Sequence, residues 1–278
     1  MKLAIRGHDL GKKGEFDMME RLQAFDLDGV QLVPYKAYAD IEYSPNITLD
    51  RAKMLADSLK SIGKNTYLIG AYFNPVHSNK EKVANGIATF KRYLELASTF
   101  NCSVVGSETG SFNDDKWTYN PLNRTNEALA TVIETFGGLA GYAKQVGATV
   151  AMEGAAGHVC FSVERLNEAL KAIGNDSIRV IFDIYNYLDD GNHNEYKKIV
   201  LNGLKTFEGR IHCFHMKDYT LVDGKVKQCA IGKGLIDYEW YIKQLKSYDE
   251  NAVLVLEGTT GDDIAPSIQL IRNLWAEI

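Results

Sequence analysis

The feature that most constrains this chain is a short apolar run followed by a longer amphipathic stretch, repeated from one end to the other. The runs are Leu3–Arg6, Gly29–Val33, Thr66–Ala71, Ser103–Gly106, Thr149–Glu153, Arg179–Asp183, Arg210–His215 and Val253–Glu257. Between them apolar residues recur at three- and four-residue steps, as in Leu129, Val132, Ile133, Phe136, Ala140 and Ala143, and again in Ile264, Ile268, Ile271 and Trp275. Continuous apolar runs suit strands covered on both faces, and the wider spacing suits helices with one buried stripe. Their alternation is the sequence form of repeated βα units around a parallel sheet. No linker or low-complexity run interrupts the series, so one domain over residues 1–278 is expected. Eight units predict a single (β/α)₈ barrel of the α/β class. The rival, an open doubly wound sheet, is disfavoured because the first βα turn lacks GxGxxG and no GxxxxGK[ST] occurs.

Composition narrows the partners. With 45% hydrophobic and 24% charged residues, the chain has ordinary globular usage and enough apolar material for a core. A net charge of −5 argues against a sequence-independent grip on nucleic acid, which depends on Lys and Arg neutralising phosphates. Cys102, Cys160, Cys213 and Cys229 form no CxxC pair, which points away from zinc ribbons and disulfide frameworks and towards a reducing compartment. The stretch Met1–Gly11 is too short for a signal peptide or a membrane span, so a cytoplasmic protein is expected, with no membrane partner. A homo-oligomer is compatible with this reading.

In a parallel barrel the active site is assembled at the C-terminal ends of the strands. Four neighbouring runs end alike: Val150-Ala151-Met152-Glu153, Val180-Ile181-Phe182-Asp183, Cys213-Phe214-His215 and Leu254-Val255-Leu256-Glu257. Three carboxylates and an imidazole converging there would repel and suffer desolvation unless a cation neutralised them. Each alone could instead cap the following loop or helix, but four on consecutive strands favour a metal. The mixed oxygen and nitrogen set fits one divalent ion, Mn²⁺ first, with Mg²⁺, Co²⁺ and Zn²⁺ as alternatives. His212 and His215 lie on opposite faces of the seventh strand if side chains alternate; His215 is then the ligand and His212 a packed histidine under the helices.

These endings, with Glu153 in AMEG, Asp183 in FDIYN, His215 in HMKD, Glu257 in LEG and the turn Gly232-Lys233-Gly234-Leu235-Ile236-Asp237-Tyr238, resemble the xylose isomerase-like TIM-barrel superfamily of sugar isomerases, sugar epimerases and apurinic endonucleases. The resemblance spans nearly the whole chain. It implies that Glu153, Asp183, His215 and Glu257 hold one catalytic metal, and that Glu153 and Glu257 also pass a proton to and from a substrate carbon. A metal-stabilised enediolate makes that chemistry coherent. Ketose epimerases resemble DxxH after the sixth strand, where this chain has Asp183-Ile184-Tyr185-Asn186, and no arginine follows His215 shortly. Those departures leave the sugar or polyol substrate open.

Further positions at strand ends are candidates for substrate contact: His8, Asn74, Glu108, His158, Asn186 and Lys217. Lys217 is read either as an ion pair with Asp218 that braces His215 or as a ligand for a substrate oxygen. Tyr35, Tyr38, Tyr72, Phe73, Trp117 and Tyr119 suit stacking on a sugar, or barrel-rim packing. His77 and His193 read as solvent-facing loop residues. The leading expectation is a metal-dependent sugar isomerase or epimerase. The alternatives are an inosose-type dehydratase, a non-catalytic sugar-binding barrel and, ranked last, a phosphodiesterase like the apurinic endonucleases.

Overall fold

The computed structural model describes residues 1–13 and 17–278. Eight parallel strands close into a barrel: β1 Lys2–Arg6, β2 Gly29–Leu32, β3 Asn65–Gly70, β4 Val104–Glu108, β5 Thr149–Glu153, β6 Ile178–Asp183, β7 Ile211–Met216 and, after a hairpin, β10 Val253–Leu256. Their order around the ring is β1-β10-β7-β6-β5-β4-β3-β2, so every neighbour in sequence is a neighbour in space. The α/β barrel read from the sequence is the fold observed.

The hairpin is new relative to the sequence reading. Strands β8 Asp218–Val222 and β9 Lys225–Cys229 pair antiparallel across a turn at Asp223-Gly224, both with positive φ. The segment is polar and exposed at its tip, so it carries no apolar run to betray it.

The principal outer helices are α3 Leu49–Ser61, α4 Lys80–Leu96, α5 Asn126–Gln145, α6 Val163–Ile173, α7 Tyr196–Thr206, α8 Tyr238–Tyr248 and α9 Ile264–Glu277; α1 Met18–Gln23 and α2 Pro34–Ala37 are short. Local chemistry starts them where the chain leaves each loop. Side chains of Thr48, Asn79, Thr125, Ser162 and Asp237 accept N–H groups of the first turns of α3, α4, α5, α6 and α8, satisfying donors that have no partner inside the helix. In α5 the residues Leu129, Val132, Phe136, Ala140 and Ala143 are buried, as the spacing predicts.

Two irregularities shape the interior. The register shifts between Val180 and Ile181 against β7, leaving His212 as an extra residue, and between Val30 and Gln31 against β3, leaving Tyr67 as another. Strands β7 and β3 stand four places apart in either direction round the ring. Even so, His212 Nε2 lies 2.7 Å from the Tyr67 carbonyl, so His212 reaches across the barrel floor. This corrects the expectation that strict alternation would put His212 under the helices: the bulge lets His212 and His215 both turn inward.

Candidate metal centre and active site

Glu153 ends β5, Asp183 ends β6, His215 lies one residue before the end of β7, and Glu257 follows β10 directly. Parallel register brings these ends level, with Asp183 opposite His215 and Val255 opposite His215 on the other side. One ligand atom from each of the four residues falls within a sphere where all lie within 4.8 Å of one another. His215 Nδ1 sits 2.6 Å from Glu257, 3.0 Å from Glu153 and 3.9 Å from Asp183. Exposure is 0% for Asp183 and His215, 1% for Glu153 and 9% for Glu257, which places the cluster at the bottom of the mouth.

What holds the imidazole in this orientation is Gln31, a residue the sequence reading passed over. Its Oε1 lies 2.8 Å from His215 Nε2, and its own Nε2 donates to the Tyr72 hydroxyl at 2.6 Å. An amide oxygen can only accept, so Nε2 of His215 carries a proton and Nδ1 is turned towards the carboxylates. The signal was present: Gln31 is the one polar side chain in the run Gly29–Val33 and is fully buried.

Two cations complete the site. Arg6, at the end of β1, binds Glu257 at 2.5 Å and Asp9 bidentately at 2.9 Å. Lys217 Nζ lies 2.8 Å from Asp183, 3.0 Å from Glu257 and 3.1 Å from Asn186 Oδ1. The supposed Lys217–Asp218 pair is therefore replaced by another division of labour. Asp218 accepts backbone N–H groups from Tyr219, Gly232, Gly234 and Ile236 at 2.8 to 3.1 Å, which is why HMKD and the GxGxxD turn occur together. A Cβ on Gly234 would stand 2.2 Å from that carboxylate, so the turn needs glycine there.

The electrostatics separate the two glutamates. Burial pushes Glu153 up to about 7 against the pull of His215. Burial acts the same way on Glu257, but Lys217, His215 and Arg6 outweigh it and hold that carboxyl well below the usual range. Burial disfavours imidazolium at His215, yet Glu153 and Glu257 raise it to about 10. Asp183 is raised by burial despite Lys217.

The donor set fits a divalent ion on a test internal to the site. Asp183 Oδ2 and Glu257 Oε2 are buried carboxylate oxygens that accept no hydrogen bond of proper geometry, although Lys217 and His215 lie close by. Their unused lone pairs converge with His215 Nδ1, a mixed set suited to a hard or borderline cation. Such an ion would take the place of the imidazolium proton.

The sequence model of the xylose isomerase-like TIM barrel matches residues 19–274. The chain belongs to that family. No curated protein sequence matches it. Among solved structures it is similar to a D-tagatose 3-epimerase-like protein at 19% identity, covering 100% of this chain and 98% of that one with a TM-score of 0.79. A xylose isomerase domain protein from Planctomyces limnophilus aligns at 18% identity over 100% and 97% of the chains, with a TM-score of 0.75. An IOLI protein crystallised with zinc aligns at 17% over 100% and 97%, with a TM-score of 0.72. At these identities the likeness is one of fold.

Above the cluster opens a cavity of about 940 Å³. Of the residues expected to contact substrate, Glu108, His158 and Asn186 line it, and so do Tyr35, Tyr72, Trp117 and Tyr119 among the aromatics. The ladder of β4 runs two residues further than read from sequence, setting Glu108 opposite Glu153. Asn186 donates to Glu153 at 2.8 Å, so the departure from DxxH is tied to a ligand carboxylate. His8 sits beside β1 in a 3₁₀ turn, and burial, then Arg6 and Lys36, lower it to about 3.

Asn74 does not reach the cavity. Its amide donates to the Ser111 and Asp114 carbonyls and accepts from Val76 and Ser111, bracing a loop. Phe73 packs on Phe90 and Phe136, and Tyr38 lies under Arg51, so both are structural. His77 is not solvent-facing as expected: it is 6% exposed and joined to Asp115 and the Asn79 N–H. Arg6, Lys36 and Tyr185 line the cavity and were missed. Arg6 ends its strand as the ligands end theirs, so the same rule applied to β1 would have found it.

Proposed function

We propose that the protein is a metal-dependent sugar isomerase or epimerase that moves a proton between or at carbons next to a carbonyl of a small sugar or polyol. The observation that carries this reading is the convergence of Glu153, Asp183, His215 and Glu257 in one cluster, of which Glu257 lines an open cavity. Glu153, Asp183, His215 and Glu257 would hold the divalent ion, Mn²⁺ first with Mg²⁺, Co²⁺ or Zn²⁺ as alternatives, and it would supply positive charge to offset negative charge developing on the substrate oxygens.

The side chains do the rest. Glu153, a carboxylate set in the cluster from the end of β5, is suited to take the proton from the carbon beside the carbonyl. Asn186, hydrogen-bonded to it, holds that carboxylate in place. Reprotonation then occurs either at the former carbonyl carbon, with the hydroxyl proton passing to the former carbonyl oxygen, giving aldose–ketose isomerisation, or at the same carbon with a second proton delivered by a protonated Glu257 on the opposite face, giving the epimer. Arg6 and Lys217 fix the position of Glu257 on that face.

Glu153→Gln and Glu257→Gln are each expected to cut solvent-deuterium exchange into a ketose panel about 10²- to 10⁴-fold in Mn²⁺-loaded protein, with the circular dichroism spectrum retained. Undiminished exchange in either variant overturns its role. The clamping of Glu257 by two cations favours one second reading, a dehydratase in which Glu153 alone handles the proton. Appearance of an absorbing unsaturated ketone instead of a sugar isomer would select it.

A further inference from the structure

The cavity is too large for what its floor is equipped to hold. A monosaccharide has about a dozen non-hydrogen atoms, and even at a water molecule's share of about 30 Å³ each it fills at most ~360 Å³. The 940 Å³ available is close to the upper end of pockets for drug-sized ligands, about 300–1,000 Å³. More than half of the space lies beyond a single sugar seated on the cluster.

That outer space has walls of a different kind. Arg6, Glu108, Asn186 and Glu257 line the cavity next to the cluster, and the rest of the lining includes Trp117, Tyr119, Ala155, Leu188 and Val226. The charges found there are already engaged. Arg124 stacks on Phe161 at 3.5 Å, Asp189 accepts N–H groups of Gly191 and Asn192, Asp190 accepts that of Val226, and Asp115 pairs with Lys82. What is left for a ligand is a mixed surface, in which Trp117 and Tyr119 supply ring faces beside the polar side chains of Thr118 and His158.

Trp117 is held there deliberately. Its backbone is left-handed at φ 49°, a conformation costly for a bulky side chain, and its carbonyl is fixed by the buried His158 at 3.2 Å. The indole also packs against the His158 ring at 5.6 Å. Tyr119, two residues on, is 57% exposed. A half-buried Trp117 and an exposed Tyr119, the latter with the Arg124 guanidinium 5.5 Å from its ring centre, are suited to the flat face of a neutral ring.

Resting on the isomerase or epimerase reading for its metal end, we propose that the substrate has two parts: a sugar carbonyl unit at the cluster and a second, neutral ring linked to it and stacked on Trp117 and Tyr119. The substrate class is thus a glycoside or other ring conjugate of a sugar, and a free monosaccharide fills only the inner half.

The test compares D-fructose with lactulose, a keto-disaccharide, and with a fructose carrying a benzyl ether on O6, which leaves the carbonyl free, using the Mn²⁺-loaded protein. Binding is followed by calorimetry and carbon-bound proton exchange by NMR in D₂O. The proposal expects at least one two-ring probe to bind about 10-fold or more tightly than fructose. That preference should fall about 3- to 10-fold in Trp117→Asn, whose side chain tolerates the left-handed backbone, and in the exposed Tyr119→Ala. The disaccharide and aryl arms distinguish a second sugar from an aromatic group. Equal or weaker binding of both two-ring probes overturns the proposal, as does a preference that survives in both variants. Tighter two-ring binding without proton exchange into any probe upholds the proposal while overturning the isomerase or epimerase reading.

Discussion

Two histidines three residues apart on one strand do opposite jobs. His212, at the barrel floor, meets the Tyr67 carbonyl across the interior, and burial lowers its proton affinity. His215, at the mouth, stands between Glu153 and Glu257, which raise its proton affinity to about 10 despite total burial. The residue type is the same and both are turned inward. What differs is whether the facing acceptor is a neutral dipole or a set of charges, and only the charged set makes a place for a cation. The barrel thus has a structural end and a chemical end built on one strand.

The largest effect expected from breaking this contrast is on metal binding. His215→Gln should lower Mn²⁺ affinity by more than about 100-fold, while His212→Gln should leave it within about 3-fold and cost about 1 kcal/mol of stability for the lost hydrogen bond. Calorimetric titration and urea unfolding of the two variants would check both halves. Comparable loss of affinity in the two would erase the distinction.

A smaller effect sharpens the mouth end. Gln31→Leu removes the acceptor for His215 Nε2 and is expected to weaken Mn²⁺ binding about 10- to 100-fold without touching a ligand. Nitrogen NMR of the imidazole should show the loss of a single tautomer; retained affinity with an unchanged tautomer would remove Gln31 from the account.

The smallest effect lies in the pH dependence of stability after chelation of metals. His215 has its folded pKa raised from 6.5 to about 10, so its contribution is full below 6.5 and is lost as pH rises to about 10. His212 has its folded pKa lowered, so its contribution is present above 6.5 and is lost as pH falls below that value. Urea midpoints of His215→Gln should therefore lose part of the alkaline slope, and those of His212→Gln part of the acid slope. Identical profiles for the two variants would show that surroundings do not separate them.

The barrel was legible because its signal is repetitive: eight apolar runs, each separated by a helical stripe, leave few other closures. The four clustered residues Glu153, Asp183, His215 and Glu257 were legible for a related reason, since an ionisable residue ending an apolar run is conspicuous. What escaped lacks such a pattern. The inward turn of His212 depends on a one-residue bulge that leaves no mark in composition, and the hairpin Asp218–Cys229 is too polar to resemble a buried strand. Lys217 was noticed, but sequence adjacency suggested Asp218 as its partner, whereas the chain's path gives it Asp183 and Glu257. Asn74 was noticed for its place after a strand, although its amide geometry serves the loop.

Asp218 has a consequence that reaches beyond its own hydrogen bonds. Its carboxylate gathers the turn from Gly232 to Ile236 onto the foot of the hairpin, so the twelve-residue hairpin Asp218–Cys229 is closed off at its base like a side branch. Val226 on that branch reaches the outer wall of the cavity, while Lys217 and His215 lie on the trunk side of the knot. The tip of the branch can therefore change length and reshape the outer wall, while Gln228 nearer its base keeps its hydrogen bond to the Glu257 carbonyl.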